Sequence, residues 1–488
     1  MRVRRTLPWL FVLASALALS EVMFYSALAP LLPYYAHRLH LSKATAGLLV
    51  ASYAIGALTA ALPIGLVVAR VGPKRATVGA ALALAATSVA FGYARGSVAL
   101  DAARFAQGVA GTGIWIGSLS WLAGVVPPGR RGEAVGGVLG IAIAGAMLGP
   151  VIGSLAELAG PRLVFAVVAA VIGLLGLLAA ATPGAHQPTG RLELRVLRSA
   201  MKDRRLRAGF CFTAIPAALF GVLGVLAPLR LSAGGASSLA IGAVFLSAAA
   251  LEGGASPIFG RLSDRRGPWL AIRVGLCASA CLALVLPLAS VVWLLGVTTA
   301  LAGLAFGVCW VPASALLSSA AESHGVDQGF AYALWNLAWA LGVTLGSAAG
   351  APLAQATSDN VPYWLLALVC GAGVLATPAP QTSALGLVRD QPRSRVAACG
   401  GGERSSDRVA SRAPARRPSG RGRPRSGADA SVDPAGASAQ CRCLCRQCFN
   451  DDGTAEACCP ALRLRRPPAL EPRCSCSSST RCPVSRRA

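Results

Sequence analysis

The chain has 488 residues, of which 55% are hydrophobic and only 13% charged, with a mean hydropathy of +0.59. A water-soluble body of this length needs a charged skin that this composition cannot supply, so a soluble globular protein is excluded. The formal net charge of +25 would suggest a nucleic-acid partner in a soluble chain, but in an apolar one the placement of Lys and Arg matters more than their sum.

Crossing a hydrocarbon core of about 30 Å takes about 20 mostly apolar residues. Such runs follow one another from Leu7 to Thr377. They predict twelve spans, at 7–30, 44–68, 76–94, 98–123, 134–157, 161–182, 208–230, 239–259, 269–288, 291–316, 328–351 and 361–377. The first run follows a basic start, but no cleavage site of small residues succeeds it, so it reads as a retained helix. Basic residues gather at Arg2, Arg4 and Arg5, at Arg70, Lys74 and Arg75, at Arg130 and Arg131, between Arg191 and Arg207, and at Arg261, Arg265 and Arg266. These are the N-terminus and every second loop as far as the one after span eight. By the positive-inside rule both termini are expected in the cytoplasm of a multi-pass plasma-membrane protein. The Ala-, Gly- and Arg-heavy composition points to a bacterial inner membrane.

Beyond Pro380 the chain is a different polymer. Residues 380–488 hold no Lys, Trp or Tyr, yet carry 20 arginines and ten of the fifteen cysteines. Low hydrophobicity with Arg, Ser, Pro and Gly enrichment predicts a disordered tail. Its CRCLCRQC run (Cys441, Cys443, Cys445, Cys448) lacks the paired CxxC knuckles of a structural zinc site, and no metal is assigned to it.

The chain repeats itself. Gly65 and Gly260 are 195 residues apart, as are Gly72 and Gly267, Gly108 and Gly303, and Trp115 and Trp310. With two residues added, Gly145, Gly149 and Gly153 match Gly342, Gly346 and Gly350. Several coincidences at one offset predict an all-α membrane protein of two pseudo-symmetric six-helix bundles. The predicted division is an N-terminal bundle over 1–183, a basic cytoplasmic linker over 184–207, a C-terminal bundle over 208–379 and the tail over 380–488. Parallel repeats of this kind are a transporter architecture, with substrate held between the halves near the midplane.

Three motifs carry a family resemblance. GRLSDRRGPW supplies Gly260, Leu262, Asp264, Arg265 and Gly267, and the first-half copy GLVVARVGPKR supplies Gly65, Arg70, Gly72 and Lys74, with Ala69 where an Asp is expected. RFAQGVAGTG supplies Arg104, Gln107 and Gly108 in the fourth span. GAMLGPVIGS supplies Gly145, Gly149, Pro150 and Gly153 in the fifth, with Ser154 in place of a final Gly. Over residues 7–377 the sequence resembles the major facilitator superfamily, specifically its twelve-helix drug:proton antiporter branch. The resemblance implies that the two polar loops act as cytoplasmic gating latches and that the glycines of span five form an antiporter-type helix. Read physically, the octet Gly260–Gly267 is expected as a short turn whose terminal glycines allow close backbone approach. Asp264 would meet a helix N-terminus or an Arg.

Ionisable side chains inside the bilayer cost about 2.5–3.5 kcal/mol and are functional candidates by default. Three stand out: Glu21, Arg104 and Glu252. Glu21 shares a helix face with Ala14, Ala18, Tyr25 and Leu28, a mostly small surface suited to a water-filled cavity. In the expected cycle Glu21 alternates between a setting near Arg104 and a dry, unpaired one, releasing and loading one proton. The blander alternative pairs Arg104 with Asp101 and leaves Glu21 to recognise substrate charge. Glu252 is the second candidate for the proton. Tyr25, Gln107, Trp115, Trp310, Trp335 and Asn336 are the candidate substrate-binding residues, forming an apolar, aromatic pocket for lipophilic or cationic compounds.

GxxxxGK[ST], HExxH and GxSxG are absent, so no nucleotide-driven step, catalytic residue, cofactor or metal is expected, and the chain does not read as an enzyme. The expected function is proton-coupled efflux of small organic compounds or drugs by alternating access, performed by a monomer with no nucleic-acid partner. The alternatives are an exporter of a physiological metabolite such as a sugar or amino acid, and a transporter-like sensor that does not transport.

Overall fold

In hydrocarbon a chain must satisfy its own backbone hydrogen bonds, and an α-helix does so within one segment. A computed structural model of the protein describes residues 2–127, 130–183, 202–324 and 328–378. All the regular elements among them are helical. The expected disordered tail and residues 184–201 of the expected linker lie outside the described residues.

In chain order the helices are α1 (Arg2–Ser26), α2 (Leu28–Arg38), α3 (Lys43–Val71), α4 (Pro73–Tyr93), α5 (Ser97–Val125), α6 (Arg131–Ala159) and α7 (Pro161–Ala181). They continue as α8 (Arg204–Ala233), α9 (Ser238–Arg266), α10 (Pro268–Val285), α11 (Val292–Gly307), α12 (Trp310–Ser323), α13 (Gln328–Ala356) and α14 (Asn360–Ala376). Among the described residues eleven spans are long and apolar enough to cross a membrane, and the 17-residue α14 is a twelfth, shorter apolar helix. Two spans are broken. Pro30 offers no N–H to the Ser26 carbonyl, and the first span divides at Ala27 into α1 and α2. Pro312 does the same to Val308, and the tenth divides into α11 and α12. The first span therefore runs on to Arg38 rather than ending at residue 30. His37 sits in its last turn. At the linker, α8 begins at Arg204, four residues earlier than its apolar run suggests, with the Asp203 carboxylate accepting from the Arg205 N–H as its cap.

The 195-residue repeat is visible in the packing. Ser42 caps α3 and Ser237 caps α9, each accepting from the N–H three residues on. Gly145, Gly149 and Gly153 of α6 lie against the Leu19, Met23 and Ala27 carbonyls. Gly342 and Gly346 of α13 meet the Ala214 and Ala218 carbonyls, and Gly350 meets the Val222 side chain. Leu19 and Ala214, Met23 and Ala218, Ala27 and Val222 are again offset by 195. Likewise Gly108 of α5 meets the Tyr53 carbonyl, while Gly303 of α11 meets Ala248. Missing side chains thus bring the same pairs of helices to backbone contact in both halves.

The polar octet is corrected by the structure. Its first seven residues continue α9 to Arg266, and the turn is Gly267 alone, at φ +83° ahead of Pro268. The first-half copy is the same: α3 runs through Gly65 and Arg70, and Gly72 turns at φ +89° ahead of Pro73. Gly65 and Gly260 are therefore helical residues with room for a side chain, not turn residues. Among the described residues Asp264 makes no ion pair, and it is exposed together with Arg265.

The halves meet through α3 against α13 and α6 against α9. At the face opposite the N-terminus, Lys43 pairs with Asp359 at 2.6 Å and the Ala44 N–H reaches Gln355 at 3.0 Å. On the other seam Ser154 donates to the Ser238 carbonyl at 2.9 Å, and Ser238 donates to the Pro30 carbonyl at 3.3 Å. These contacts join the halves at the far face. Because Lys43 is 41% exposed, the ion pair is worth about 0–1 kcal/mol. Exchanging the charges as Lys43→Asp with Asp359→Lys is expected to restore the population with the halves joined here that either single reversal lowers, read from spin-label distances across the far face.

Candidate functional site

Inside the N-terminal half, α1 carries Glu21 into the helix cluster one and a half turns before the break at Ala27. Its carboxylate is 5% exposed, and both oxygens are held. Oε1 accepts from the Tyr53 hydroxyl of α3, and Oε2 accepts from the Trp115 indole Nε1 of α5 at 2.7 Å. Gly111, one turn before Trp115, makes the room: a Cβ there would stand 2.8 Å from Glu21 Oε1 and collide with the Tyr53 hydroxyl. The face shared with Ala14, Ala18 and Leu28 is packed, each of these being under 5% exposed, and does not line a water-filled space.

Arg104 lies deeper, 2% exposed. Nη1 donates to the Phe24 carbonyl at 3.2 Å and to Gln107 Oε1 at 3.1 Å, and Nη2 donates to the Tyr25 carbonyl at 3.3 Å. Its guanidinium also stands 4.9 Å from the Tyr53 ring centroid and 5.8 Å from that of Phe91. It forms an ion pair with neither Glu21 nor Asp101, so both expected pairings are set aside for this conformation. The guanidinium instead captures the end of α1 just ahead of the break. Tyr53 touches both charges, its hydroxyl on Glu21 and its ring face toward Arg104. Lysine cannot reproduce this planar fork. Arg104→Lys is expected to destabilise the protein by about 1–3 kcal/mol, seen as a lower unfolding temperature in detergent, by leaving buried carbonyls unpaired.

The C-terminal half holds Glu252, half-buried on α9. Gly307 at the end of α11 leaves space for its carboxyl group, and the Trp310 indole, just beyond the break, lies beside it. Phe220 of α8 stacks on Trp310 at 5.7 Å, and Trp335 of α13 meets Trp310 edge-on at 5.7 Å. Each half therefore sets one carboxylate beside its repeated tryptophan, but from different helices. The 195-residue counterpart of Glu21 is Pro216, and that of Tyr53 is Ala248.

Of the candidates for substrate contact, Trp115 is engaged with Glu21. Gln107 is fully buried between Arg104 and Ser88, to whose Oγ it donates at 3.5 Å, so it faces no open space. Tyr25, Trp310, Trp335 and Asn336 are half-buried. Tyr25 packs on Tyr53 at 5.3 Å and across the halves on Trp339 at 4.9 Å. Sequence reasoning missed Tyr53, Gly111, Phe220 and Trp339. The one signal for Tyr53 was a polar ring in an otherwise apolar run, ASYAIGA. Among the described residues no group of three or more His, Cys, Asp or Glu side chains is placed to hold a metal.

A model of the Major Facilitator Superfamily matches residues 14–326. The chain belongs to this superfamily. It is 27% identical over 377 residues to the human MFS-type transporter SLC18B1, covering 70% of this chain and 79% of that protein. It is 28% identical over 375 residues to a chloramphenicol resistance protein of Streptomyces lividans, covering 75% and 93%. Among solved structures it superposes with a TM-score of 0.60 on an inward-facing, unoccupied bacterial homologue of the human lysosomal transporter Spinster, at 15% identity and covering 76% and 94% of the two chains. The nucleoside transporter NupG gives 0.60 at 13% identity, covering 75% and 98%. As a Major Facilitator Superfamily transporter, the chain is a multi-pass membrane protein that carries small molecules. Its glycine-lined α6 and α13 are the helices that pack α1 and α8 into their halves.

Proposed function

We propose that the protein exports small organic compounds in exchange for protons, by alternating access between two six-helix halves, with Glu21 as the proton-carrying group. The single observation that carries this reading is the Glu21 carboxylate, buried in the N-terminal half and held by Tyr53 and Trp115 rather than by a permanent cation. A carboxylate bonded only to neutral donors can lose or keep its proton without breaking an ion pair, which suits a group that titrates once per cycle. Arg104, tied to the Phe24 and Tyr25 carbonyls, stays charged throughout and orients α1. The similarity to a chloramphenicol resistance protein supports export of drug-like compounds.

The contacts that join the halves at the far face and the basic clusters at the other end fit an arrangement open toward the cytoplasm, with the far face opening to release substrate outside. The two polar segments where α3 meets α4 and α9 meets α10 carry Arg70, Lys74, Asp264 and Arg265 on the proposed cytoplasmic side. There they would latch the halves when that side closes. The reading is tested in proteoliposomes carrying an internal pH-sensitive dye. Adding chloramphenicol or another amphiphilic compound is expected to move protons across the membrane. Binding without any proton movement would overturn it in favour of a sensor or an uncoupled carrier.

A further inference from the structure

In the C-terminal half, the start of α8, the start of α10 and the last turns of α14 come together at the end of the bundle that carries the basic clusters. Between them lies a groove of about 520 Å³, with Arg204 and Arg207 at its mouth and Phe212, Ile215, Trp269 and Val369 along its walls. Both arginines and Val369 are exposed, whereas Phe212 is buried and meets Trp269 edge-on at 6.3 Å. Among the described residues neither arginine has an ion-pair partner. The neighbouring acid, Asp203, is taken up by the Arg205 N–H and by His324 at 3.1 Å. The repeat shows that the fold does not need these cations. At the positions 195 residues earlier stand Trp9 for Arg204 and Val12 for Arg207. There the Trp9 indole donates to Thr182 at 3.0 Å and ties the ends of α1 and α7 together. Thr377, the counterpart of Thr182, is held instead by Arg273, whose Nη2 donates to its carbonyl at 3.1 Å. Arg204 and Arg207 are left to face outward.

We infer that this groove binds one phospholipid with an anionic headgroup. Two free cations at the rim of an apolar trough match the two parts of such a lipid, and a half-buried Trp suits the level where headgroup meets hydrocarbon. The phosphate sits between Arg204 and Arg207, and an acyl chain runs along Phe212, Ile215 and Val369. Segments of the chain outside the described residues are unsuited to the groove by charge. Residues 184–201 hold three arginines to one acid, and residues 380–488 hold twenty arginines to nine acids. Both would meet like charge at the mouth. The inference goes beyond the transport reading and depends on neither proton coupling nor substrate.

The test titrates the full chain, purified in a neutral detergent, with dioleoyl-phosphatidylglycerol or dioleoyl-phosphatidylcholine and counts bound lipid by native mass spectrometry. Wild type is expected to retain one phosphatidylglycerol about tenfold more tightly than phosphatidylcholine. Arg204→Gln with Arg207→Gln is expected to erase that preference. Arg75→Gln with Arg261→Gln, which removes two exposed arginines elsewhere at the same end, is expected to leave it intact. A preference that survives the first pair, or that falls equally with both, would reduce the attraction to general surface charge and overturn the inference. Ala372→Trp supplies a second, uncharged measure, since Ala372 is exposed on α14 and lines the groove. It is expected to weaken phosphatidylglycerol binding by about tenfold by filling the place of the acyl chain. Unchanged binding there, or displacement of the lipid by inorganic phosphate alone, would leave a plain anion site and also overturn the inference.

Discussion

Glu21→Gln is expected to reduce compound-driven proton movement in proteoliposomes to below about one hundredth of wild type, the size of effect seen when an essential proton-transfer group is lost. Glutamine preserves the shape but cannot titrate. It also cannot accept from both neighbours as the carboxylate does, since its NH2 must face either the Tyr53 hydroxyl or the Trp115 indole. The unmade hydrogen bond costs about 1–3 kcal/mol, so folding must be checked by gel filtration and thermal unfolding alongside flux. Tyr53→Phe and Trp115→Phe each remove one donor and leave the carboxylate able to titrate. They are expected to slow coupled flux and shift its pH profile without abolishing it. Full coupled flux in a folded Glu21→Gln protein would sink the assignment and send the proton to Glu252 or Asp101.

The second large effect concerns assembly. Gly149→Val is expected to abolish folded protein, judged by loss of a monodisperse peak in detergent. A Cβ at 149 would stand 2.6 Å from the Met23 carbonyl oxygen and collide with the Ser26 hydroxyl, with backbone on one side that cannot swing away. Prying α6 from α1 would forfeit the packing that fixes Glu21 and cost more than about 3 kcal/mol, the scale of severe overpacking. Gly140→Val on the same helix is the control. Nothing lies within 4 Å of its Cβ position, so this variant is expected to fold, and a collapse there would sink the packing explanation. Helix propensity cannot account for the difference, because both substitutions change it alike.

Length and hydropathy alone determined that this chain lives in a membrane and crosses it about twelve times, because hydrocarbon leaves an apolar run one solution, the helix. The 195-residue repeat placed Gly108 opposite Gly303 and Trp115 opposite Trp310, since duplicated helices keep the small residues that let backbones touch. Glu21, Arg104 and Glu252 were legible as single charges in apolar runs. Their partners were not. Tyr53 reaches Glu21 from a different helix, and nothing within ASYAIGA encodes which neighbour it will face. Arg104 appeared to need an acid, yet two backbone carbonyls just ahead of the break between α1 and α2 accept from it instead. The octet looked like a loop because it is polar, whereas a helix end leaving the bilayer is equally free to be polar and stay helical up to Gly267. A sequence fixes what each helix can bury; which side chains meet depends on how helices distant in the chain rotate and cross, and only the packed structure decides that.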